Sequence, residues 1–285
     1  MGRRIAVAFA DIHCGHYSGL CPEGMKLPSP EDDPETTWTP TLTDTQRWLW
    51  SCYEADRNGI KALANGDPIT VIVNGDITWG KKYPDGLISS RDYDQCAIAA
   101  SCLIRWLTMV NVDKLRLITG TQSHESGEGS TPYTVAAMLQ AVKDCDVAVS
   151  RHSLFSIDGV VIDCAHHGPT PGMRQWTSGN QLRYYLKSLM NDEIQRHRTP
   201  PRVVVRSHYH TYARETVRVN GAERWVSDIV VTPAYCGMTH YATQVTRSAY
   251  LQSAGMVALE IIDGELVKIH DQFTRAHDLR TEEEL

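Results

Sequence analysis

The chain has 285 residues, of which 42% are hydrophobic and 22% charged, so its composition is that of a globular protein and not of a disordered or fibrous one. Its 28 Lys and Arg against 34 Asp and Glu give a formal net charge of −6, which disfavours binding to long nucleic acid through basic side chains. No stretch approaches the ~20 apolar residues of a membrane span, and the apolar run 5–10 is too short for a secretory signal. We therefore expect a cytoplasmic protein with no membrane partner.

The first half of the chain alternates predicted strands and helices. Apolar runs predict buried strands over 4–10, 69–74 and 115–119. Helical spacing of apolar residues predicts helices over 44–64 and 91–110, and a third over 132–143 begins at Pro132. Between the first strand and the first helix, segment 17–42 is rich in proline and is predicted to be a loop.

The second half contains mostly strands. Strands are predicted over 160–165 and 202–207 on either side of a helix over 180–195, and then over 213–219, 225–232, 256–262 and 266–272. Asn220-Gly221 and Asp263-Gly264 are strong hairpin-turn signals. These patterns predict an α/β fold in one domain over 1–285, with insertions over 17–42 and 234–252. The eight cysteines are scattered without a C-x-x-C pair, which favours reduced, buried thiols.

Five short clusters of histidine, aspartate and glycine follow predicted strands. In chain order they are Asp11-Ile12-His13, Gly75-Asp76, Gly120-Thr121-Gln122-Ser123-His124-Glu125, His166-His167-Gly168 and Ser207-His208-Tyr209-His210. The carboxyl ends of strands are where α/β sheets gather functional residues. Carboxylate and imidazole ligands together suit Mn²⁺, Fe or Zn²⁺ better than Ca²⁺. The order and placement of the clusters therefore predict a two-metal centre.

This series of motifs resembles that of the calcineurin-like metallophosphoesterases, in which D-x-H, G-D, G-N-H-D/E, a later histidine and G-H-x-H follow one another. The resemblance covers 11–210, about 200 residues. It implies a four-layer αββα sandwich of two mixed β-sheets. It also implies two divalent metal ions, with Mn²⁺ favoured and Fe, Zn²⁺, Ni²⁺ and Mg²⁺ as alternatives.

The resemblance implies a role for each cluster. The implied metal ligands are Asp11, His13, Asp76, His166 or His167, His208 and His210. Asp11, His13 and His210 would bind the first metal, His208 the second, and Asp76 both. Of the histidine doublet, His166 is favoured for the second metal, and His167 stays open. His124 would stabilise or protonate the leaving oxygen.

The third cluster departs from the family pattern. Ser123 stands where the family has a metal-binding asparagine, and Gln122 is the only amide nearby. Both are kept as possible metal or substrate ligands. Because a hydroxyl is a weaker ligand than an amide carbonyl, we expect a looser second site, or one completed by water.

Aromatic and basic residues near the motifs are candidates for binding the substrate. The named candidates are Trp79, Arg174, Tyr235 and Arg247, with His16, His240 and Tyr241 close to them in the sequence. Such rings stack on bases, and arginines pair with phosphates. The alternative for the aromatic residues is that they only pack their loops.

The function predicted from these residues is phosphoester hydrolysis by a metal-bound hydroxide, with a nucleotide-type diester as the favoured substrate. One alternative is a DNA exonuclease or end-processing nuclease, for which the acidic chain is a poor match. The other is a phosphoesterase-like scaffold without catalysis, suggested by the missing asparagine. The partner is therefore a small phosphoester or a nucleic acid, and the oligomeric state stays open.

Overall fold

A computed structural model describes residues 2–29, 36–126, 130–142, 145–172, 177–220, 224–245, 250–280 and 283 of the chain. Its strands are β1 (Arg3–Phe9), β2 (Leu27–Pro28), β3 (Thr37–Trp38), β4 (Ile69–Asn74), β5 (Val112–Ile118), β6 (Asp146–Ser150), β7 (His152–Ile157), β8 (Val160–Ala165), β9 (Val203–Arg206), β10 (Ala213–Asn220), β11 (Arg224–Val231), β12 (Leu251–Gly255), β13 (Val257–Ile262), β14 (Glu265–His270) and β15 (Thr274–Asp278). Its helices are α1 (Asp44–Ala64), α2 (Asp92–Leu107), α3 (Ser130–Val142), α4 (Asn180–Gln195) and α5 (His240–Val245).

Two mixed sheets form the centre of the fold. The first has six strands in the order β14-β13-β1-β4-β5-β6, with β1, β4, β5 and β6 parallel. The second has five strands in the order β10-β11-β9-β8-β7, with β11, β9 and β8 parallel. Antiparallel strands complete the outer part of each sheet.

The alternation of side chains along β1 shows how the layers pack. Ile5, Val7 and Phe9 belong to the core beneath helices α1, α2 and α3. Ala6 and Ala8 face the opposite way, into the core between the two sheets, because successive side chains of a strand point to opposite faces. Helix α4 covers the outer face of the second sheet. The layers are therefore helices, sheet, sheet and helix, and the predicted αββα sandwich is confirmed.

Most predicted elements appear within a few residues of their predicted bounds. Six strands were missed. Four of them, β2, β3, β12 and β15, form two small two-stranded sheets, and the other two, β6 and β7, are edge strands of the first and second sheets. Most side chains of β6 and β7 are exposed or only partly buried, so these strands lack the long, fully apolar run by which the central strands were recognised. The chain passes from one sheet to the other between them.

The two predicted insertions are more regular than expected. Segment 17–42 contains the short β2–β3 ribbon, and segment 234–252 contains α5 and the start of β12, which pairs with β15. None of the eight cysteines is disulfide-bonded in the described ranges. Within those ranges no helix combines the length and the apolar character needed to cross a membrane.

Candidate metal centre

The predicted site residues meet where parallel strands of both sheets end. Strands β1, β4 and β5 of the first sheet lead into the clusters at 11–13, 75–76 and 120–125, and β8 and β9 of the second lead into those at 166–168 and 207–210. Backbone hydrogen bonds tie these segments together, from Asp11 N–H to Gly75 O (3.0 Å) and from Ser207 N–H to His166 O (2.9 Å). The tertiary structure thus brings the five clusters to one place.

Two buried carboxylates lie at the centre of this cluster. Asp11 and Asp76 are almost fully buried. His166 Nε2 lies 3.1 Å from Asp76 Oδ2 and 3.8 Å from Asp11 Oδ1. Asp11 Oδ1 is also 3.4 Å from His210 Nε2 and 3.8 Å from His13 Nε2. Each carboxylate is therefore shared by imidazoles from different strands.

Imidazole nitrogens surround the carboxylates on two sides. On one side His13 and His210 place their Nε2 atoms 3.2 Å apart. On the other side His166, His167 and His208 offer ring nitrogens that all lie within 4.8 Å of one another. His166 is buried, whereas His167 is exposed. The geometry therefore agrees with the preference for His166 and still leaves His167 within reach of the same position.

Unpaired atoms in this cluster fit a bound cation. Asp11 Oδ1 and His166 Nε2 are buried and form no hydrogen bond within the described part of the chain. His166 Nδ1–H donates to Asn74 O at 2.7 Å, so Nε2 is the ring nitrogen that faces the two carboxylates. Buried acceptors that face one another are costly unless a positive group lies among them. The donor set suits Mn²⁺, Fe or Zn²⁺.

The pKa values show how strongly the carboxylates keep their charge. Burial alone would raise the pKa of Asp11, but the rings of His210 and His166 more than offset it, and the pKa lies below its ordinary value. The pKa of Asp76 is lowered against burial by His166 and then by His13. Both side chains are thus anionic at neutral pH, which draws cations to the centre.

The histidines respond to the same charges. Burial lowers the pKa of His166, but the carboxylates of Asp76 and Asp11 outweigh it and raise the pKa to about 9. Burial and the neighbouring His124 hold the pKa of His13 well below its ordinary value. Burial, with a contribution from His166, lowers the pKa of His208 to about 4. His13 and His208 are therefore neutral at neutral pH, as metal-binding imidazoles must be, while a metal bound at His166 would displace a proton.

Two glycines allow the close approach of these segments. A Cβ on Gly75, whose φ is +96°, would lie 2.4 Å from His166 Nδ1, and a Cβ on Gly120 would lie 2.2 Å from Asp76 Oδ1. Neither distance is possible for a real side chain. The glycines of the second and third clusters are therefore needed so that His166 and Asp76 can take up their positions.

His124 lies at the edge of the centre, with its ring 4.5 Å from that of His13. Its Nδ1–H donates to Trp79 O at 2.7 Å, which leaves Nε2 as the nitrogen able to exchange a proton with a substrate. Glu125 behind it is buried and accepts a hydrogen bond from Gly120 N–H. Burial raises the pKa of Glu125 to about 8, so this carboxyl is largely protonated at neutral pH.

The structure places Thr121, and not Ser123, beside the second group of histidines. Thr121 Oγ1 is 3.3 Å from both His167 Nε2 and His208 Nδ1, and Thr121 N–H donates to Asp76 Oδ1 at 2.5 Å. Ser123 and Gln122 line an adjoining cavity. The family motif places its ligand directly before the histidine, and that position is Ser123 here. Because the turn between Gly120 and His124 is longer than in the family motif, a different residue, Thr121, faces the centre.

Cys236 is a second residue that the sequence reasoning did not single out. Its buried sulfur forms a candidate metal-binding group with ring nitrogens of His13 and His210, all within 4.8 Å. Burial raises the pKa of this thiol to about 12, so it is uncharged at neutral pH. Like the histidines, Cys236 follows the carboxyl end of a strand, here β11. This position is the signal in the sequence that could have indicated it.

The predicted substrate-binding residues have different outcomes. Trp79 is largely buried, stacks on His16 with ring centroids 3.9 Å apart and contacts His13 edge-on, so it forms a wall of the centre. For Tyr235 the structure favours the alternative, in which the ring only packs. It is fully buried in the core beside Phe9, and its hydroxyl donates to Asp56 at 2.7 Å. Burial of the apolar ring of Tyr235 in the core was more favourable than its exposure in the loop.

Four other candidates can be assigned only in part. Arg174 and Arg247 lie outside the described residues. His240 and Tyr241 belong to helix α5, and the structure describes their backbone. The substrate roles of all four stay predictions.

Comparisons with known proteins give similar structures but no sequence match. No protein-family model matches the chain, and no curated protein matches it. Among solved structures, an archaeal phosphodiesterase is 12% identical with a TM-score of 0.39, over 90% of this chain and 99% of that one. The sulfate thiohydrolase SoxB of Thermus thermophilus, in complex with glycerol, is 12% identical with a TM-score of 0.41, over 98% of this chain. This chain spans 57% of the length of SoxB.

The αββα layers and the carboxylate–histidine cluster at the strand ends are the arrangement that the resemblance to calcineurin-like metallophosphoesterases implies. The fold expected from the motifs, an αββα sandwich, is therefore confirmed. Candidate metal-binding groups are also present, formed by residues of the same motifs.

Proposed function

We propose that this chain is a metal-dependent phosphodiesterase that uses two divalent ions and acts on nucleotide-type diesters. One observation carries the proposal. Asp76 belongs to two candidate metal-binding groups, one with His13 and His124 and one with Asp11 and His166. A carboxylate that faces ligands on both sides is the usual bridge of a two-metal hydrolase.

The residues divide into two sides around that bridge. His13 and His210 would hold one ion with Asp11, and His166 and His208 would hold the other. Two divalent ions held by these residues would supply positive charge to the phosphate oxygens and would lower the pKa of a water that could attack phosphorus. The chain itself fixes the orientation of its ligands, as when the Asn74 carbonyl accepts the Nδ1–H of His166 and so directs Nε2 to the centre.

His124 is suited to the leaving group. Trp79 O accepts its Nδ1–H, so the imidazolium form presents the Nε2 proton to the departing oxygen, which would otherwise leave as an unstable alkoxide. The stacking of Trp79 on His16 and the hydrogen bond from His16 Nε2–H to Asp85 O hold this wall in place. These contacts support the proposal that His124 acts as the acid at the edge of the cluster.

The test uses bis-p-nitrophenyl phosphate as a generic diester. We expect hydrolysis that chelation abolishes and Mn²⁺ restores, with no recovery in Asp76→Asn, because that change removes the charge shared by both sides. Asp158→Asn, in the β7–β8 turn, is the matched control and should behave as the unmodified protein. Substoichiometric metal together with no turnover of any phosphoester would instead support the non-catalytic scaffold.

A second comparison tests His124. His124→Ala should retain its metals but turn over about 10²-fold more slowly, with the loss largest for substrates that have poor leaving groups. His277→Ala, on the exposed strand β15, is the control. An unchanged rate on a poor leaving group would show that the proton comes from elsewhere.

The substrate class is decided by parallel assays with Mn²⁺. Cyclic nucleotides, dinucleotides, single-stranded DNA and duplex DNA are compared at equal phosphodiester concentration. We expect turnover of the small diesters and of short single strands. Rapid degradation of duplex ends with weak turnover of small diesters would favour the nuclease alternative.

A further inference from the structure

A cavity of about 680 Å³ adjoins the metal centre. Its lining residues are Lys81, Lys82, Asp92, Thr121, Gln122, Ser123 and Ser126. Thr121 belongs to both places, since its hydroxyl also lies 3.3 Å from His208 Nδ1. The volume is in the range of a small-molecule pocket.

The charges of this cavity favour an anion. Two lysines line it against one carboxylate. Lys81 Nζ lies 2.7 Å from Asp92 Oδ2, with about half of the lysine side chain exposed. Lys82 Nζ lies 5.4 Å from the ring centre of Tyr83. Ammonium groups, hydroxyls and an amide together provide several hydrogen-bond donors, which is what the oxygens of a phosphate require.

The lysines stand on a firmly held loop, residues 80–88, which we call the lysine loop. Its first residue, Gly80, exchanges two hydrogen bonds with the buried side chain of Gln95 (2.9 and 3.1 Å). Its last residue, Ile88, donates its N–H to Gly15 O at 2.8 Å. Between them His16 donates to Asp85 O at 2.9 Å. Because the backbone is fixed in this way, little ordering is needed when a ligand binds.

We propose that this cavity binds a second phosphate of the substrate, carried by the leaving group. The inference rests on the proposed diester hydrolysis. The cavity is lined by the segment that leads into His124, the proposed donor to the leaving oxygen, so the group bound there is the one that departs. The preferred substrate is accordingly a diester whose leaving group is a nucleoside phosphate, and Lys81 and Lys82 determine that specificity.

Asp92 gives the proposal a test that damage to the fold cannot imitate. Its carboxylate neutralises Lys81 in the structure and also accepts a hydrogen bond from Ser126 Oγ at 2.7 Å. Asp92→Asn keeps the size and an acceptor for Ser126 but removes the negative charge. A cavity that binds phosphate should therefore bind it more tightly in this variant, whereas loss of structure can only weaken binding.

The first experiment measures binding and needs no turnover. Thymidine 3′,5′-bisphosphate and thymidine 5′-monophosphate are titrated by calorimetry into the Mn²⁺-loaded protein. We expect the bisphosphate to bind about tenfold more tightly, a preference that the double variant Lys81→Met/Lys82→Met abolishes and Asp92→Asn increases about threefold. Lys187→Met, on the exposed side of α4, is the control and should keep the preference of the unmodified protein.

The second experiment measures turnover of thymidylyl-thymidine with no terminal phosphate, with a 5′-phosphate and with a 3′-phosphate. One phosphorylated form should have the highest kcat/KM, and the double lysine variant should lose that advantage. Any one of three results would overturn the inference. The double variant could keep the preference for the bisphosphate, Asp92→Asn could bind the bisphosphate more weakly, or decathymidylate could bind more tightly than the dinucleotides. Failure to hydrolyse any diester while the bisphosphate preference remains would overturn the proposed function, and with it the assignment of the leaving group, but would keep the cavity as a phosphate-binding site.

Discussion

At the scale of single residues, the centre is built from backbone conformations that most side chains avoid. The residues with positive φ in the cluster are Asp11, His13, Asp76, His208 and His210. Each such conformation costs on the order of 1–3 kcal/mol in a residue other than glycine, although Asp and His tolerate it better than most. Neighbouring strands hold these residues in place. Strain of this kind is concentrated at functional sites, and here it turns side chains from two sheets towards one point.

The role of Thr121 gives a prediction at this scale. Thr121→Val keeps the shape of the side chain and removes the hydroxyl that lies near His167 and His208. We expect about tenfold weaker binding of one of two Mn²⁺ ions, as for other groups that orient or complete a metal site. Competition titration with a chromogenic chelator measures it.

Ser123→Ala is the matched control for that change. Ser123 lines the cavity beside the centre, so its replacement should leave both Mn²⁺ affinities unchanged. Weaker metal binding in Ser123→Ala, with normal binding in Thr121→Val, would restore the assignment made from the sequence motif alone.

At the scale of elements, helix α2 fixes the segment that carries the lysines. Gln95, on this helix, is almost fully buried, and its amide bonds both Gly80 and Ser89 O. The helix also packs close to the segment that carries Asp11 and His13, since a Cβ on Gly15 would lie 2.4 Å from Gln95 Cγ. One side chain thus connects the lysine loop to the segment that follows His13.

Gln95→Leu should loosen the lysine loop more than the sheet. The change leaves an N–H and two carbonyl groups of the loop region without their partner, at a cost of about 1–3 kcal/mol in the free energy of unfolding. Hydrogen exchange should accelerate over residues 80–89 while strand β4 stays protected, and urea unfolding gives the stability. Gln195→Leu, exposed at the end of α4, is the control. Equal acceleration in β4 would show a general loss of stability instead.

At the scale of the whole molecule, the second sheet depends on a buried charge. Asp228 on β11 is almost fully buried and accepts hydrogen bonds from Thr216 Oγ1 (2.6 Å), Arg214 (3.2 Å) and Arg202. Burial raises the pKa of this carboxyl, but the bonds from Thr216 and Arg202 more than offset it, so the pKa is lower than its ordinary value. The carboxylate therefore joins β10 and β11 to the residue that immediately precedes β9.

Asp228→Asn should consequently lower the free energy of unfolding by an amount that depends on pH. A carboxyl whose pKa is lowered in the folded state stabilises the protein fully above its unfolded pKa of ~3.9, and this contribution is lost as the pH falls through the lower folded value. The variant should unfold at lower urea concentration at pH 7, and the difference should shrink below about pH 4. Unfolding is measured in chelator so that metal binding does not vary. Glu265→Gln, exposed on β14, is the control. A stability difference between Asp228→Asn and the unmodified protein that stays constant down to pH 3 would contradict the stabilising role of the Asp228 charge.

The sequence alone determined the strand-end motifs and the class of fold. Buried strands such as β4 are continuous apolar runs, and helices such as α4 carry regular apolar spacing, so local pattern is sufficient for them. The ligand types at 11–13, 76, 166 and 208–210 follow from chemistry that needs carboxylates and imidazoles. The edge strands β6 and β7 were missed because half of each faces solvent.

Only the tertiary structure decided which side chains face the centre. Thr121 rather than Ser123 approaches His208, and Tyr235 turns into the core to reach Asp56. Cys236 joins His13 and His210 although more than 200 residues separate it from His13. Such choices depend on how a turn is wound and on which surface is buried at long range. They are set by packing between two sheets, and local sequence patterns carry no information about that distance or direction.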